Sequence, residues 1–332
     1  MKIKASKSTL KGIVAVPGSK SHTIRSIVIG LLGEGTSTII NPLMSADTIS
    51  CIEGAGTLGA RVTISETDPK IITITGTGKN FKNTSDLIDV GNSGTSLSLL
   101  TSAAALFGKK IIFDGDDSIR SRPMLPLLLS LKDLGAQVSS KNNAGKCPFE
   151  VKGPILGGET TIDGITSQYL SSLLISCPLA EKTSIIKVKN LHEKPYVDIT
   201  LFWLNKMGIK YKNEGLDYFE IPGNQKYPQF SEQIPSDFST ACFPLCAAAI
   251  TKSDITIQGL DFSDPQGDKA IFEQMRKMGL KFEVNNKETI IKGSQSELKG
   301  ITIDLNATPD ALPVMSIVGC FAKGTTVLTN VP

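Results

Sequence analysis

Leu58-Gly59-Ala60-Arg61-Val62 is the stretch on which the reading of this chain turns, because altered copies of it recur three more times. The copies are Leu134-Gly135-Ala136-Gln137-Val138, Met207-Gly208-Ile209-Lys210-Tyr211 and Met278-Gly279-Leu280-Lys281-Phe282. Their glycines follow one another at intervals of 76, 73 and 71 residues. Spacing this regular marks repeated supersecondary units, and such repeats outrank any local motif in deciding a fold. Each glycine closes a helical pattern, as with Ile271, Met275 and Met278 at steps of four and three. It therefore fits a helix C′ position, where the backbone needs positive φ. Upstream of each helix stands an alternating strand: Thr36–Ile40, Lys110–Phe113, Ser184–Val188 and Asp254–Gln258.

A second helix is expected in the other half of every repeat, opened each time by small polar residues. Ser19-Lys20-Ser21 precedes Ile24, Ile27, Val28 and Leu31, and Asn92-Ser93-Gly94-Thr95 precedes Leu97–Leu100. Thr166-Ser167-Gln168 precedes Leu170, Leu173 and Leu174, Ser236-Asp237 precedes an alanine-rich run, and Pro309-Asp310 precedes Leu312 and Met315. These are N-cap signatures, because a short side-chain oxygen there accepts from an otherwise orphaned backbone N–H. Each repeat thus reads as a βαβαββ-like unit, and the fold class is α/β. Gly324-Thr325-Thr326-Val327-Leu328 matches Gly35-Thr36-Ser37-Thr38-Ile39, a strand that a helix should follow. The chain accordingly reads as ending in mid-repeat at Pro332, as a truncated sequence would.

Composition narrows the function. A chain of 332 residues, 40% hydrophobic and 20% charged, is long enough for two domains. Its net charge of +3 is too slight for a protein that grips nucleic acid by bulk charge. The longest nearly apolar run, Ala241–Ile250, holds a proline and falls far short of a membrane span. Met1–Lys11 is followed only by the short apolar run Gly12–Val16, so no signal peptide is expected and a cytoplasmic protein is. Six cysteines without a CxxC pair, and only His22 and His192 as imidazoles, leave no zinc constellation. Cys242 and Cys246 read as buried, reduced core thiols, and the two histidines as packing or surface residues.

The glycine motifs separate on context. Gly54-Ala55-Gly56-Thr57-Leu58-Gly59 fits GxGxxG, but a helix precedes it and a strand follows, the reverse of a dinucleotide site. Pro17–Arg25 (PGSKSHTIR) is different: free amides at a helix start attract an anion. Lys20 adds a full charge, Ser21 a hydroxyl, and Arg25 lies one turn from Ser21 on the same face. The plain alternative is a capped surface helix carrying two solvated cations. Gly91-Asn92-Ser93-Gly94-Thr95, with Ser118–Pro123 and its arginines beyond it, forms a second such start, and Thr166-Ser167-Gln168 a third. Three helix starts could grip a ligand with more than one anionic group.

PGSKSHTIR, Gly91–Thr95 (GNSGT), Arg122-Pro123-Met124, Thr166–Leu170 (TSQYL), Lys194–Thr200 (KPYVDIT) and Pro309-Asp310-Ala311 occur in order along the chain. In this the chain resembles the 5-enolpyruvylshikimate-3-phosphate synthase family. The resemblance implies two domains of repeated βαβαββ units (an inside-out α/β barrel), with substrates in the cleft between them. It implies a first domain over 15–232 and a second from 1–14 plus 233–332, incomplete at its C-terminus. It also implies a monomer with no metal or organic cofactor, acting on phosphoenolpyruvate and shikimate 3-phosphate in the pathway to chorismate and aromatic amino acids. By motif, Lys20, Ser21, Arg25, Thr166, Ser167, Gln168 and Asp310 would hold shikimate 3-phosphate. Lys20, Asn92, Gly94, Arg122 and Gln168 would hold phosphoenolpyruvate. Asp310, as proton acceptor, and Lys20 would be the catalytic groups.

Two residues depart from the family pattern: Glu193 stands where a serine usually meets the substrate phosphate, and Ser98 where an arginine often stands. Glu193 would either point at that phosphate and repel it, or turn to solvent or to a nearby cation. The family's later Lys-Glu-Thr-Asp-Arg, Asp-His-Arg and C-terminal lysine motifs do not occur, so the 332-residue chain is expected to bind substrate but turn over little or nothing. Two alternatives stand beside this reading. One is the related transferase acting on UDP-N-acetylglucosamine, whose first motif normally reads Gly-Ala-Lys-Asn. The other is a non-catalytic anion-binding remnant.

Overall fold

The computed structural model describes residues 2, 4, 6, 8–78, 80–82 and 84–331. The expected segment 1–14 therefore lies partly outside the described residues, and so does the expected ending at Pro332. The chain divides into two compact units, Lys20–Ile234 and Met1–Ser19 with Pro235–Pro332.

The first strand is β1 (Lys11–Ala15). The first repeat then runs α1 (Lys20–Leu32), β2 (Thr36–Ile40), α2 (Ala46–Thr57), β3 (Arg61–Ile64) and β4 (Ile71–Thr75). The second is β5 (Leu87–Asp89), α3 (Gly94–Ala104), β6 (Lys110–Asp114), the short α4 (Asp117–Ser121), α5 (Leu125–Asp133), β7 (Gln137–Ser140) and β8 (Phe149–Lys152). The third is β9 (Gly158–Asp163), α6 (Ser167–Ser176), β10 (Ser184–Lys189), α7 (Lys194–Lys206), β11 (Lys212–Glu214) and β12 (Tyr218–Ile221). After β13 (Ser231–Gln233), the fourth runs α8 (Phe238–Ile250), β14 (Asp254–Gln258), α9 (Ala270–Lys277), β15 (Phe282–Asn285) and β16 (Glu288–Lys292). Then come β17 (Thr302–Asp304), α10 (Leu312–Phe321) and β18 (Val327–Thr329), with β17 and β18 parallel.

Each of the four four-stranded sheets has the same mixed pattern, one parallel pair followed by two antiparallel ones. The orders are β13-β2-β4-β3, β5-β6-β8-β7, β9-β10-β12-β11 and β1-β14-β16-β15. In the second and third repeats the parallel strand directly precedes its own helix. In the other two it comes from elsewhere in the chain: β13 pairs with β2 (Ser231↔Thr38), and β1 pairs with β14 (Ile13↔Thr256). The strand before α1 and the strand before α8 have thus exchanged sheets, which leaves Lys20–Ile234 continuous and builds the other unit from two separate stretches of sequence.

Alternation fixes which face of each sheet is buried. In β2 the buried positions are Ser37 and Ile39, and antiparallel β4 buries Ile72 and Ile74. The helices that open with small polar residues are the most deeply set. In α1 every residue from His22 to Leu32 is buried, and α3 and α6 are buried along nearly their whole length. A helix buried on all sides sits in the middle of a core, and α3 packs against both α1 and α6. The other unit has its own core around Phe238, Leu245, Phe272, Met275 and Met315.

Gly59, Gly135, Gly208 and Gly279 follow the ends of α2, α5, α7 and α9 at φ of +102°, +110°, +72° and +108°. These values are the left-handed conformation that ends a helix without Cβ strain. The GxGxxG stretch lies at the end of α2 and leads into β3, so it offers no helix start to a pyrophosphate. His22 is fully buried, and its Nδ1 accepts from Trp203 Nε1 at 3.1 Å, a packing role.

The N-cap expectation holds at Ser93, Thr166 and Asp237, and Asp237 Oδ1 accepts from the Thr240 amide at 2.7 Å. It fails at Asp310. Pro309–Ala311 forms a 3-10 turn, α10 starts only at Leu312, and neither start has a side-chain cap. Pro313 in the first turn removes one orphan N–H that a cap would serve.

Candidate active site

The start of α6 is a built anion seat. Thr166 caps the helix, its Oγ1 accepting from the Gln168 amide at 3.4 Å. Ser167, only 1% exposed, presents its amide and hydroxyl just above. Glu193 fills the seat: its Oε2 accepts from Thr166 Oγ1 at 3.1 Å, from Ser167 N at 3.1 Å and from Ser167 Oγ at 2.8 Å. A carboxylate is stabilised there by charge-assisted hydrogen bonds and by the positive end of the helix dipole. Glu193 thus neither faces solvent nor seeks a cation, the two positions expected of it if it avoided the phosphate site. Its backbone sits at φ 53°, ψ 40°, in the left-handed region, at the N-cap of α7. The side chain makes no capping bond to α7 and reaches to α6 instead.

The start of α3 lies on the same cleft. A cavity of about 260 Å³ is lined by Gly94, Ser98, Arg122, Thr166, Gln168 and Glu193, with an apolar wall that includes Met124 and Tyr169. Gly94 opens α3, and a Cβ on it would fall 2.3 Å from Arg122 Nη1 and 3.6 Å from Gln168 Oε1. Only glycine lets the guanidinium approach the helix start this closely. The Tyr169 hydroxyl donates to the Pro123 carbonyl and ties the Arg122-Pro123 loop to α6. Burial pushes the Tyr169 phenol up to about 12, so it stays a donor. The neighbouring Arg120 is spent on Asp114 in a two-pronged bond of 3.0 and 2.9 Å, which leaves Arg122 as the arginine of this loop that faces the cleft. Ser98 is buried and donates to Gln168 Oε1 at 3.4 Å, orienting the amide that both ligands would share.

Arg25 is not the solvated cation of the plain alternative. It is 1% exposed and bridges three helices. Its Nε donates to Thr200 Oγ1 at 2.8 Å, and Nη1 to the Ser21 carbonyl at 3.0 Å. Nη2 donates to Ser171 Oγ at 3.2 Å and to the Tyr196 carbonyl at 2.9 Å. Desolvation lowers its pKa to about 10, still charged at neutral pH. These bonds fix the first turns of α1 against α6 and α7. Lys20 and Ser21, half-buried at the start of α1, are not among the residues lining the cleft just described. Asn92 is exposed in the turn before α3, and Asp310 is exposed in its 3-10 turn in the other unit. Among the described residues no group of three or more His, Cys, Asp or Glu could hold a metal ion.

Sequence reasoning did not find the Glu193 bonds or the positioning roles of Ser98 and Tyr169. Glu193 was visible as an acid in an unexpected place, but nothing in the sequence names the donors it meets.

Residues 4–332 match the family model described as EPSP synthase (3-phosphoshikimate 1-carboxyvinyltransferase). The chain is 47% identical over 332 residues to a 3-phosphoshikimate 1-carboxyvinyltransferase of Acetivibrio thermocellus, covering 100% of this chain and 77% of that protein. It is 42% identical over 326 residues to the protein of the same name from Methanocaldococcus jannaschii, covering 97% and 75%. Among solved structures, an EPSP synthase from Acinetobacter baumannii superposes with a TM-score of 0.77 at 28% identity, covering 98% of this chain and 74% of that one.

Proposed function

The chain belongs to the EPSP synthase (3-phosphoshikimate 1-carboxyvinyltransferase) family, and from that premise we propose how its residues divide the work. The reaction moves the enolpyruvyl group of phosphoenolpyruvate to the 5-hydroxyl of shikimate 3-phosphate and releases phosphate, a step of the shikimate pathway to aromatic amino acids. The UDP-N-acetylglucosamine reading is not favoured, since the relatives carry the shikimate name and the first motif reads Gly18-Ser19-Lys20-Ser21.

In our reading the phosphate of shikimate 3-phosphate takes the start of α6, held by Thr166, Ser167 and Gln168, with Lys20, Ser21 and Arg25 from α1. Arg25 acts mainly by fixing these helices, since four of its N–H···O bonds are already made within the protein. Phosphoenolpyruvate is met by Arg122 beside Gly94, by Gln168 and Lys20, and by Asn92 from the turn before α3. The observation that carries this division is the α6 start, where an anion, the Glu193 carboxylate, already sits on three converging donors. Asp310 is assigned the proton lost by the 5-hydroxyl as it attacks C2 of phosphoenolpyruvate. C3 gains a proton as the tetrahedral adduct forms and gives one up again as phosphate leaves, so that the vinyl double bond is restored, and Lys20 and Arg122 stabilise the charge that departs.

We take residues 15–232 as one working domain and 1–14 with 233–332 as the other, acting as a monomer in the cytoplasm. No helix among the described residues is long and apolar enough to cross a membrane. The reading is tested by calorimetric titration of the chain with shikimate 3-phosphate and with UDP-N-acetylglucosamine. Saturable binding of the first alone is expected. Binding of the nucleotide sugar without binding of shikimate 3-phosphate would overturn the assignment.

A further inference from the structure

The donors assigned to the substrate phosphate are not waiting empty. Thr166 Oγ1, Ser167 N and Ser167 Oγ all point at one oxygen of Glu193, at 3.1, 3.1 and 2.8 Å. Glu193 stands at the head of α7 yet does not cap it, and spends its carboxylate on α6. The side chain is half-buried on the wall of the cleft, so it has open space beside it into which it can turn. Among the described residues no lysine or arginine forms an ion pair with it, so hydrogen bonds and the helix dipole alone hold it.

We propose that Glu193 is a resident competitor for the substrate's phosphate, and that shikimate 3-phosphate binds only by turning this carboxylate out of the α6 seat. The proposal rests on the reading that the phosphate belongs at the start of α6. Two anions cannot share the same three donors, because their charges repel at contact and each N–H or O–H points along one direction. The ligand therefore sees only the fraction of molecules whose seat is open, and its apparent affinity falls in proportion to that fraction. A carboxylate seated about 90–99% of the time weakens binding about 10- to 100-fold. The handicap falls on the phosphorylated ligand alone. Shikimate, which has no phosphate to place at α6, does not need Glu193 to move. Glu193 thus sets how strongly the site prefers a phosphorylated substrate.

The experiment is calorimetric titration of the chain, of Glu193→Ser and of Glu193→Gln, each with shikimate 3-phosphate and with shikimate. Gln keeps the size of the side chain and a neutral acceptor for the α6 donors, so it decides the matter should the serine variant fold poorly. About tenfold or tighter binding of shikimate 3-phosphate in both variants, with shikimate unchanged, is expected. Parallel changes for both ligands would overturn the proposal, since they would mark Glu193 as a structural cap. Unchanged or weaker binding of shikimate 3-phosphate in both variants would overturn it too. A further substitution, Ser167→Ala placed in Glu193→Ser, then separates the two levels. If it weakens shikimate 3-phosphate binding, the α6 seat stands and only the competitor role falls. If it has no effect, the phosphate lies elsewhere and both readings fall.

Discussion

Gly94→Ala should separate stability from binding, with opposite signs. Gly94 is the first residue of α3 and is not among the glycines with positive φ, so alanine fits its backbone. Restricting the unfolded chain should then raise stability by about 0.4–1 kcal/mol. The new methyl would stand 2.3 Å from Arg122 Nη1, whereas uncrowded contacts lie near 3.5 Å. The obstacle is the far end of an exposed side chain, so the guanidinium gives way by roughly 1 Å rather than the helix. A charge-assisted hydrogen bond to an anion misaligned by that much loses about 1.5–3 kcal/mol, roughly tenfold to a hundredfold in Kd. The assay is calorimetric titration of phosphoenolpyruvate in the presence of shikimate 3-phosphate, paired with thermal unfolding. Arg122→Ala should weaken binding similarly, and Gly94→Ala added to it should cost nothing more, because the group it displaces is gone. Full phosphoenolpyruvate affinity in Gly94→Ala, or additive losses in the double variant, would refute the geometric argument.

Other expectations follow from single interactions. Arg25→Lys keeps a charge but cannot span Thr200, Ser171, Tyr196 and Ser21 at once, and should cost about 2–3 kcal/mol in urea unfolding. The cost stays below the sum of the bonds because the single Thr200 hydroxyl proton still has an acceptor within reach, Ser171 Oγ at 2.9 Å or the Tyr196 carbonyl at 3.2 Å. A loss under about 0.5 kcal/mol, the size of an ordinary surface substitution, would mean the bridge is idle. In thiol titration of the native chain, only Cys320 should react quickly. It is the one exposed cysteine, and burial pushes Cys51, Cys147, Cys177 and Cys246 up to about 12. More than one fast thiol would contradict the described core. The Arg120 guanidinium bonds hold Asp114 below the usual carboxylate range. That contribution is present above the ordinary aspartate value of about 3.9 and is lost as pH falls through the lower folded value. The melting difference between the wild type and Asp114→Asn should therefore shrink on acidification, and a constant difference would exclude this pair as its source.

The repeat was legible because each unit writes its own punctuation. A Leu-Gly or Met-Gly pair closes one helix, a polar pair opens the next, and strand alternation needs no distant partner to be recognised. The exchange of β1 and β13 was less legible from residues. Ser231-Glu232-Gln233 has no alternation, and its parallel partner in β2 is set by packing across nearly two hundred residues. Asp310 misled as a cap because the proline at the start of α10 changes what that helix start requires. At the site, the motifs named the residues around the cleft but not their pairings. Arg25 read as an anion-binding cation one turn from Ser21, or else a solvated one, and its bonds to α6 and α7 come only from the packing of the helices. Glu193 and Ser167 are 26 positions apart, and their contact depends on a left-handed backbone at residue 193 that no glycine announces.

The most direct test is the backbone amide resonance of Ser167 during titration with shikimate 3-phosphate. If the substrate phosphate displaces Glu193 and takes the start of α6, that amide exchanges one anionic acceptor for another and its signal must shift saturably. Shikimate at the same concentrations should leave it in place. Saturable binding of shikimate 3-phosphate with the Ser167 amide unmoved would put the phosphate elsewhere and contradict the account at its centre.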